Sequence, residues 1–150
     1  MNMFCRLCHS ADCREMGVFW KRRLLQCGDC GLVFVPDGDV VSREAERQRY
    51  DRHTNHRTDP GYVRYLETVA AELSRIPHPA PRILDFGAGP EYVLTQLLRE
   101  RGLDSVPYDP LYNLPLPVDA APFDVVIACE VLEHLRDLPQ ELTFIYSLLK

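Results

Sequence analysis

The segment Arg82-Ile83-Leu84-Asp85-Phe86-Gly87-Ala88-Gly89-Pro90-Glu91 constrains the fold of this chain most tightly. A short apolar run ends on a carboxylate, turns on two glycines and enters an amphipathic stretch over 92–101. Short apolar runs bounded by turn residues read as buried strands, and the 3.6-residue periodicity that follows reads as a helix. The glycines lack Cβ, so they permit the sharp turn and leave bare backbone for a ligand to lie against. Strand, tight turn and helix in that order open a nucleotide-binding βαβ unit.

Two further segments narrow the ligand. In a pyrophosphate-binding fingerprint a carboxylate beside the anion would be repelled, and the third glycine of G-x-G-x-x-G would fall on Tyr92. That counts against a dinucleotide-dependent enzyme. Asp85 suits a ligand with a positive group, such as S-adenosylmethionine (SAM), which carries an ammonium and a sulfonium and no phosphate. Asp109 ends the run Ser105-Val106-Pro107-Tyr108-Asp109, 22 residues past Gly87, the usual distance for an acid that accepts ribose hydroxyls. Phe123-Asp124-Val125-Val126-Ile127-Ala128-Cys129 reads as a buried parallel strand, followed by Glu130-Val131-Leu132-Glu133-His134-Leu135.

These three segments, in this order, resemble those of class I SAM-dependent methyltransferases of small molecules, over roughly residues 60–150. The resemblance implies that Asp85, Phe86, Gly87, Ala88 and Gly89 form the first SAM-binding loop. It implies that Asp109 holds the ribose and that Cys129 and Glu130 border the pocket where the fourth strand opens. Where the family has a third loop glycine, this chain has Glu91. His134, with Glu133 beside it, is the candidate base for a protonated acceptor. On a short helix, Glu130, Glu133 and His134 would share one face and resemble a Mg²⁺ site of some O-methyltransferases. The family continues with a fifth strand, a helix and a hairpin, which the sequence to Lys150 lacks. The resemblance is therefore to a C-terminally truncated member, whose fourth strand would leave an edge for a second copy or a partner chain to cover.

The other strong signal lies at the start of the chain. Cys5-x2-Cys8 and Cys27-x2-Cys30, separated by 18 residues, have the spacing of a four-cysteine zinc site. Each pair places two thiolates on one knuckle, and two knuckles close a tetrahedron around Zn²⁺. Strand-like runs at 18–20, 24–25 and 32–35 complete a zinc ribbon. Disulfides fit a cytoplasmic protein poorly, and redox chemistry needs only one pair. His9 and Cys13 are ligands by type but stand outside the knuckles, and Cys129 reads as a small buried hydrophobe. Some members of the resembling family carry such a ribbon. A closed four-sulfur site has no open position for chemistry, so its role is structural.

Between these parts, Pro36-Asp37-Gly38-Asp39 reads as a turn and 42–52 as a short polar helix capped by Ser42. His53 and His56 read as substrate contacts or as exposed loop histidines. Asp59-Pro60 starts a helix with an N-cap and proline at its first position, burying Tyr62, Leu66, Val69, Ala70, Leu73 and Ile76. The proline-rich stretch from 110 to 122 is too short for a helix and a strand. It reads as a loop with an edge segment near 114–118, and Asp119 as an adenine contact or an exposed acid. An apolar-striped helix fills 138–150.

Net charge is −5, and the basic footprint of a nucleic-acid binder is missing. No apolar run approaches the roughly 20 residues of a membrane span. The first residues lack a signal-peptide pattern, so a cytoplasmic location is expected. The expected fold class is α/β: a zinc ribbon over 1–35, a polar connector over 36–59, and over 60–150 a partial Rossmann-like sheet of parallel strands lacking the C-terminal ones. The expected function is SAM-dependent methylation of a small molecule. Its alternatives are a non-catalytic module that binds a partner chain and an RNA methyltransferase.

Overall fold

A segment of some 35 residues can bury little apolar surface, and here the first strands gather around cysteines. The computed structural model describes residues 4–40, 42–50, 56–77, 80–117, 119–120 and 122–150. Strands β1 (Cys13–Phe19) and β2 (Arg22–Cys27) form an antiparallel hairpin, and β3 (Val33–Phe34) pairs with β2. Cys5, Leu25, Cys27 and Phe34 form its small core. The expected strand over 18–20 ends a residue early. The chain turns at Trp20 (φ 46°) and Lys21 (φ 66°), both left-handed. Such two-residue turns normally use Asn or Gly; this one presents Trp20, 97% exposed, at its tip.

Helix α1 (Arg43–Tyr50) is capped by Ser42, whose Oγ accepts the Ala45 N–H at 3.1 Å. His53 lies outside the described residues. Helix α2 (Pro60–Leu73) starts as its sequence dictates: Asp59 Oδ1 accepts from the N–H groups of Gly61 and Tyr62 at 2.7 and 2.9 Å. This satisfies donors that the first helical turn cannot.

The second sheet is parallel, in the order β5-β4-β6, from β4 (Arg82–Phe86), β5 (Asp104–Tyr108) and β6 (Val125–Ile127). Helix α3 (Val93–Glu100) connects β4 to β5, and α4 (Leu138–Ser147) follows β6. Alternation along β4 feeds two cores. Ile83 packs with Leu66, Ala70, Leu97 and Leu98 of α2 and α3, whereas Leu84 and Phe86 pack with Phe123, Phe144 and Leu148. The central strand, covered on both faces, carries Asp85 to the carboxyl edge of the sheet, where ligands bind in open α/β folds.

Two elements differ from their sequence expectation. The apolar run 123–129 contributes only Val125–Ile127 to the sheet, and Phe123 instead forms a parallel bridge with Leu149. The Phe123 N–H donates to Leu148 O at 2.8 Å and the Lys150 N–H to Phe123 O at 3.0 Å. The helix expected over 138–150 therefore ends at Ser147, because the next residues run beside Phe123. The expected edge segment near 114–118 is reduced to a bridge between Leu114 and Asp109. Among the described residues no helix is long and apolar enough to cross a membrane.

Candidate active site and metal centre

The turn after β4 is built from two left-handed glycines, Gly87 (φ 77°) and Gly89 (φ 72°). They are glycines for different reasons. A Cβ on Gly87 would overlap Val131 Cγ2, whereas a Cβ on Gly89 would meet open space. Gly87 thus serves close packing, and Gly89 leaves its backbone open to whatever lies beside it. The N–H groups of Gly87 and Ala88 donate to Tyr108 O at 2.7 and 3.2 Å, tying the turn to the end of β5.

Asp85 is 3% exposed. Its Oδ2 accepts the Thr95 N–H at 3.0 Å and the Thr95 hydroxyl at 2.8 Å, so the first turn of α3 holds the carboxyl in place. Burial pushes it up to about 6 against the opposing pull of Thr95, because a carboxylate loses hydration there. Asp109, also buried, braces the same turn: Oδ2 accepts the Gly89 N–H at 2.9 Å and Oδ1 the Leu111 N–H at 2.9 Å. The residue expected to hold a ribose also locks the glycine turn.

Glu91, in place of a third glycine, is committed elsewhere. Its carboxylate accepts the Arg57 N–H at 2.9 Å and lies 2.7 Å from His56 Nδ1. The Arg57 amide, then His56, hold its pKa below the ordinary glutamate value. These contacts fasten the start of the α2 segment over the glycine turn. His56 is therefore a loop histidine with a defined partner, a pairing invisible at 35 residues' separation.

Past β6 the chain bends at Glu130 (φ 57°) and forms a single 3-10 turn, Leu132–His134. This corrects the expectation of a helix bearing Glu130, Glu133 and His134 on one face. His134 Nε2 lies 3.6 Å from Glu133 Oε1. Glu130 instead accepts from the Tyr65 hydroxyl at 3.1 Å, and Tyr65 Oη lies 3.4 Å from Cys129 Sγ. Hydrogen bonding to Cys129 and then Glu130 pushes the Tyr65 hydroxyl up, so it stays protonated. Tyr65, three residues beyond Tyr62 on α2, was missed by the sequence reading; helical spacing from Tyr62 was its available signal.

These pieces surround one cavity of about 860 Å³ at the carboxyl edge of the sheet. Asp85, Phe86, Gly87, Ala88, Gly89, Asp109, Cys129, Glu130 and His134 all line it; Glu133 does not. Asp119 is exposed and outside that wall.

In the ribbon, Cys5, Cys8, Cys27 and Cys30 place their sulfurs all within 4.8 Å of one another. The Cys5–Cys30 and Cys8–Cys27 sulfur pairs are each 3.5 Å apart. Tetrahedral zinc with bonds of about 2.3 Å needs sulfurs about 3.8 Å apart, so the set fits. The Leu7 and Cys30 N–H groups donate to Cys5 Sγ and Cys27 Sγ at 3.4 Å, preparing both knuckles for thiolates. The Cys30 amide is the largest of the influences that bring Cys27 down to about 6. Among the described residues this is the only such convergence of His, Cys, Asp or Glu side chains. His9 and Cys13 stay outside it, and so do Glu130, Glu133 and His134.

Comparison with known proteins agrees with this geometry. No curated protein sequence matches the chain. The profile of a methyltransferase domain family matches residues 49–150, spanning α2, the glycine turn, Asp109 and the corner after β6. The chain belongs to this methyltransferase domain family.

Proposed function

We propose that the chain moves a methyl group from SAM to a small molecule held in the same cavity, with a zinc-stabilised ribbon beside it. The observation that carries this reading is the meeting of the glycine turn, Asp109 and the Cys129-Glu130 corner on one cavity of about 860 Å³. That volume lies toward the top of the roughly 300–1,000 Å³ of ligand sites, which supports room for an acceptor beside the cofactor. The chemistry SAM supplies is a methyl on a sulfonium. On transfer the C–S bond would break with its electron pair left on sulfur as an acceptor lone pair bonds to carbon.

The protein's part is charge and alignment. Asp85 and Asp109 are buried carboxylates that favour a cationic ligand, and the open backbone at Gly89 admits it closely. Tyr65 and the corner it braces bound the side where the acceptor would lie. His134 is the base we assign to an acceptor that must lose a proton; holding the reactants in line supplies most of the rest. The four-sulfur centre leaves no open position, which supports a structural Zn²⁺.

The test is calorimetric titration of zinc-loaded protein with SAM and S-adenosylhomocysteine, followed by label transfer from methyl-labelled SAM to small acceptors. Micromolar binding, weakened at least about tenfold by Asp109→Asn, is expected from a lost charge-assisted contact. Folded, zinc-loaded protein that binds neither ligand would overturn the reading.

A further inference from the structure

The first cysteine knuckle holds a long cation between its two cysteines. Arg6 sits between Cys5 and Cys8, and its side chain is 13% exposed. It reaches out of the ribbon: Nη2 donates to Leu135 O at 2.9 Å and to Arg136 O at 2.7 Å, while Nε lies 3.3 Å from Asp37 Oδ1. One guanidinium therefore joins the knuckle, the turn after β3 and the segment that follows the 3-10 turn at His134.

That segment is part of the cavity wall. Val131, His134, Leu135 and Arg136 all line it, and Val131 is the side chain whose packing requires Gly87. The path from the four sulfurs to the glycine turn is short: knuckle, Arg6, the carbonyls of Leu135 and Arg136, and back along the chain to Val131, which packs on Gly87. The Leu7 N–H bonded to Cys5 Sγ and the His9 N–H bonded to Cys5 O at 3.0 Å hold the backbone on which Arg6 stands. A metal fixes this knuckle. Without it the cross-link between the two knuckles is lost and the first can relax, and hydrogen bonds near their ordinary length are lost with a shift of about 1 Å.

We propose that Arg6 is a positioning residue that transmits occupancy of the four-cysteine site to the wall segment 131–136. Its consequence for cofactor affinity rests on the SAM reading of the cavity; the mechanical coupling does not. Lysine can reach a carbonyl but lacks the planar guanidinium, whose Nη2 bonds both carbonyls while its buried Nε faces Asp37 as an ion pair without a hydrogen bond.

The experiment compares wild type, Arg6→Lys and Arg6→Gln, each with zinc content measured, by amide hydrogen exchange over 130–137 and by SAM titration. Zinc-loaded Arg6→Gln should keep wild-type metal content, exchange at least about fivefold faster over 130–137 and bind SAM about tenfold more weakly, with α3 unchanged as the internal control. Arg6→Lys should recover part of both effects. Chelation should accelerate 130–137 in wild type and add little in Arg6→Gln. Loaded Arg6→Gln with wild-type exchange over 130–137, or an equal response of both proteins to chelation, would overturn the proposal. Wild type that binds no SAM would sink the cofactor reading alone, and the exchange comparison would still decide the coupling.

Discussion

Lowering the pH from about 8 to about 5 should weaken SAM binding about tenfold through one carboxyl, Asp85. Burial raises Asp85 to about 6 despite two hydrogen bonds from Thr95. A cationic ligand beside it favours the ionised form and draws its pKa back toward the ordinary range near 4. At about pH 5 the free site is roughly ten parts protonated to one ionised, so binding must first remove a proton; at about pH 8 it is ionised already. The difference is about 1.4 kcal/mol, a factor of about 10 in Kd.

Folding stability runs the other way. The folded pKa lies above that of an ordinary aspartate, so the contribution of Asp85 is fully present below about pH 4 and is lost as pH rises through about 6, about 3 kcal/mol in all. The assay is calorimetry across this range with zinc in excess, on wild type and Asp85→Asn, with Tm measured alongside. Asparagine still accepts from Thr95 but cannot titrate, so its Kd should be flat where that of the wild type slopes. A flat wild type, or an Asp85→Asn variant with the wild-type slope, would refute the reasoning.

The two glycines of the turn should separate. Gly87→Ala combines a left-handed φ with overlap on Val131 and should cost about 3 kcal/mol, read as a lowered Tm. Gly89→Ala meets open space, should cost only about 1 kcal/mol, and should lose SAM affinity instead. Metal loading should release protons and strengthen from about pH 6 to about pH 8, since thiols must ionise to bind and Cys8 is held well above its ordinary value while Cys27 is drawn down to about 6. Cobalt charge-transfer absorbance measures this, and Cys27→Ser should abolish the tetrathiolate band. Glu91→Gln weakens the pairing with His56, so limited proteolysis near 56–58 should quicken while zinc content stays constant.

What the sequence made legible was local. The cysteine knuckles, the Asp59 cap, the glycine turn and the helices on either side each depend on residues within a few positions of one another. What escaped it joins distant positions: Glu91 to His56, Tyr65 to Glu130, and Arg6 to the carbonyls near 135. A single sequence carries no register between such segments, and only the packed sheet brings them together. Asp109 shows the boundary well. Its spacing from Gly87 marked it as a ribose contact, yet its grip on the Gly89 amide depends on how far β5 runs before turning. The corner after β6 escaped for a different reason. The apolar run suggested a strand through Cys129 and a helix after it, but the backbone leaves the sheet at Ile127 and turns left-handed at Glu130.

The hairpin tip of the ribbon has a practical consequence for spectroscopy. Trp20 is the single tryptophan in the chain, and it stands in water. Its emission should be that of a solvated indole in the native state and stay so on denaturation, leaving it nearly blind to melting of the parallel sheet. The seven tyrosines, several of them around the cavity, would have to report that transition. For the same reason, a blue shift of this lone indole in folded protein would report something docking against the tip, free of any background from the core.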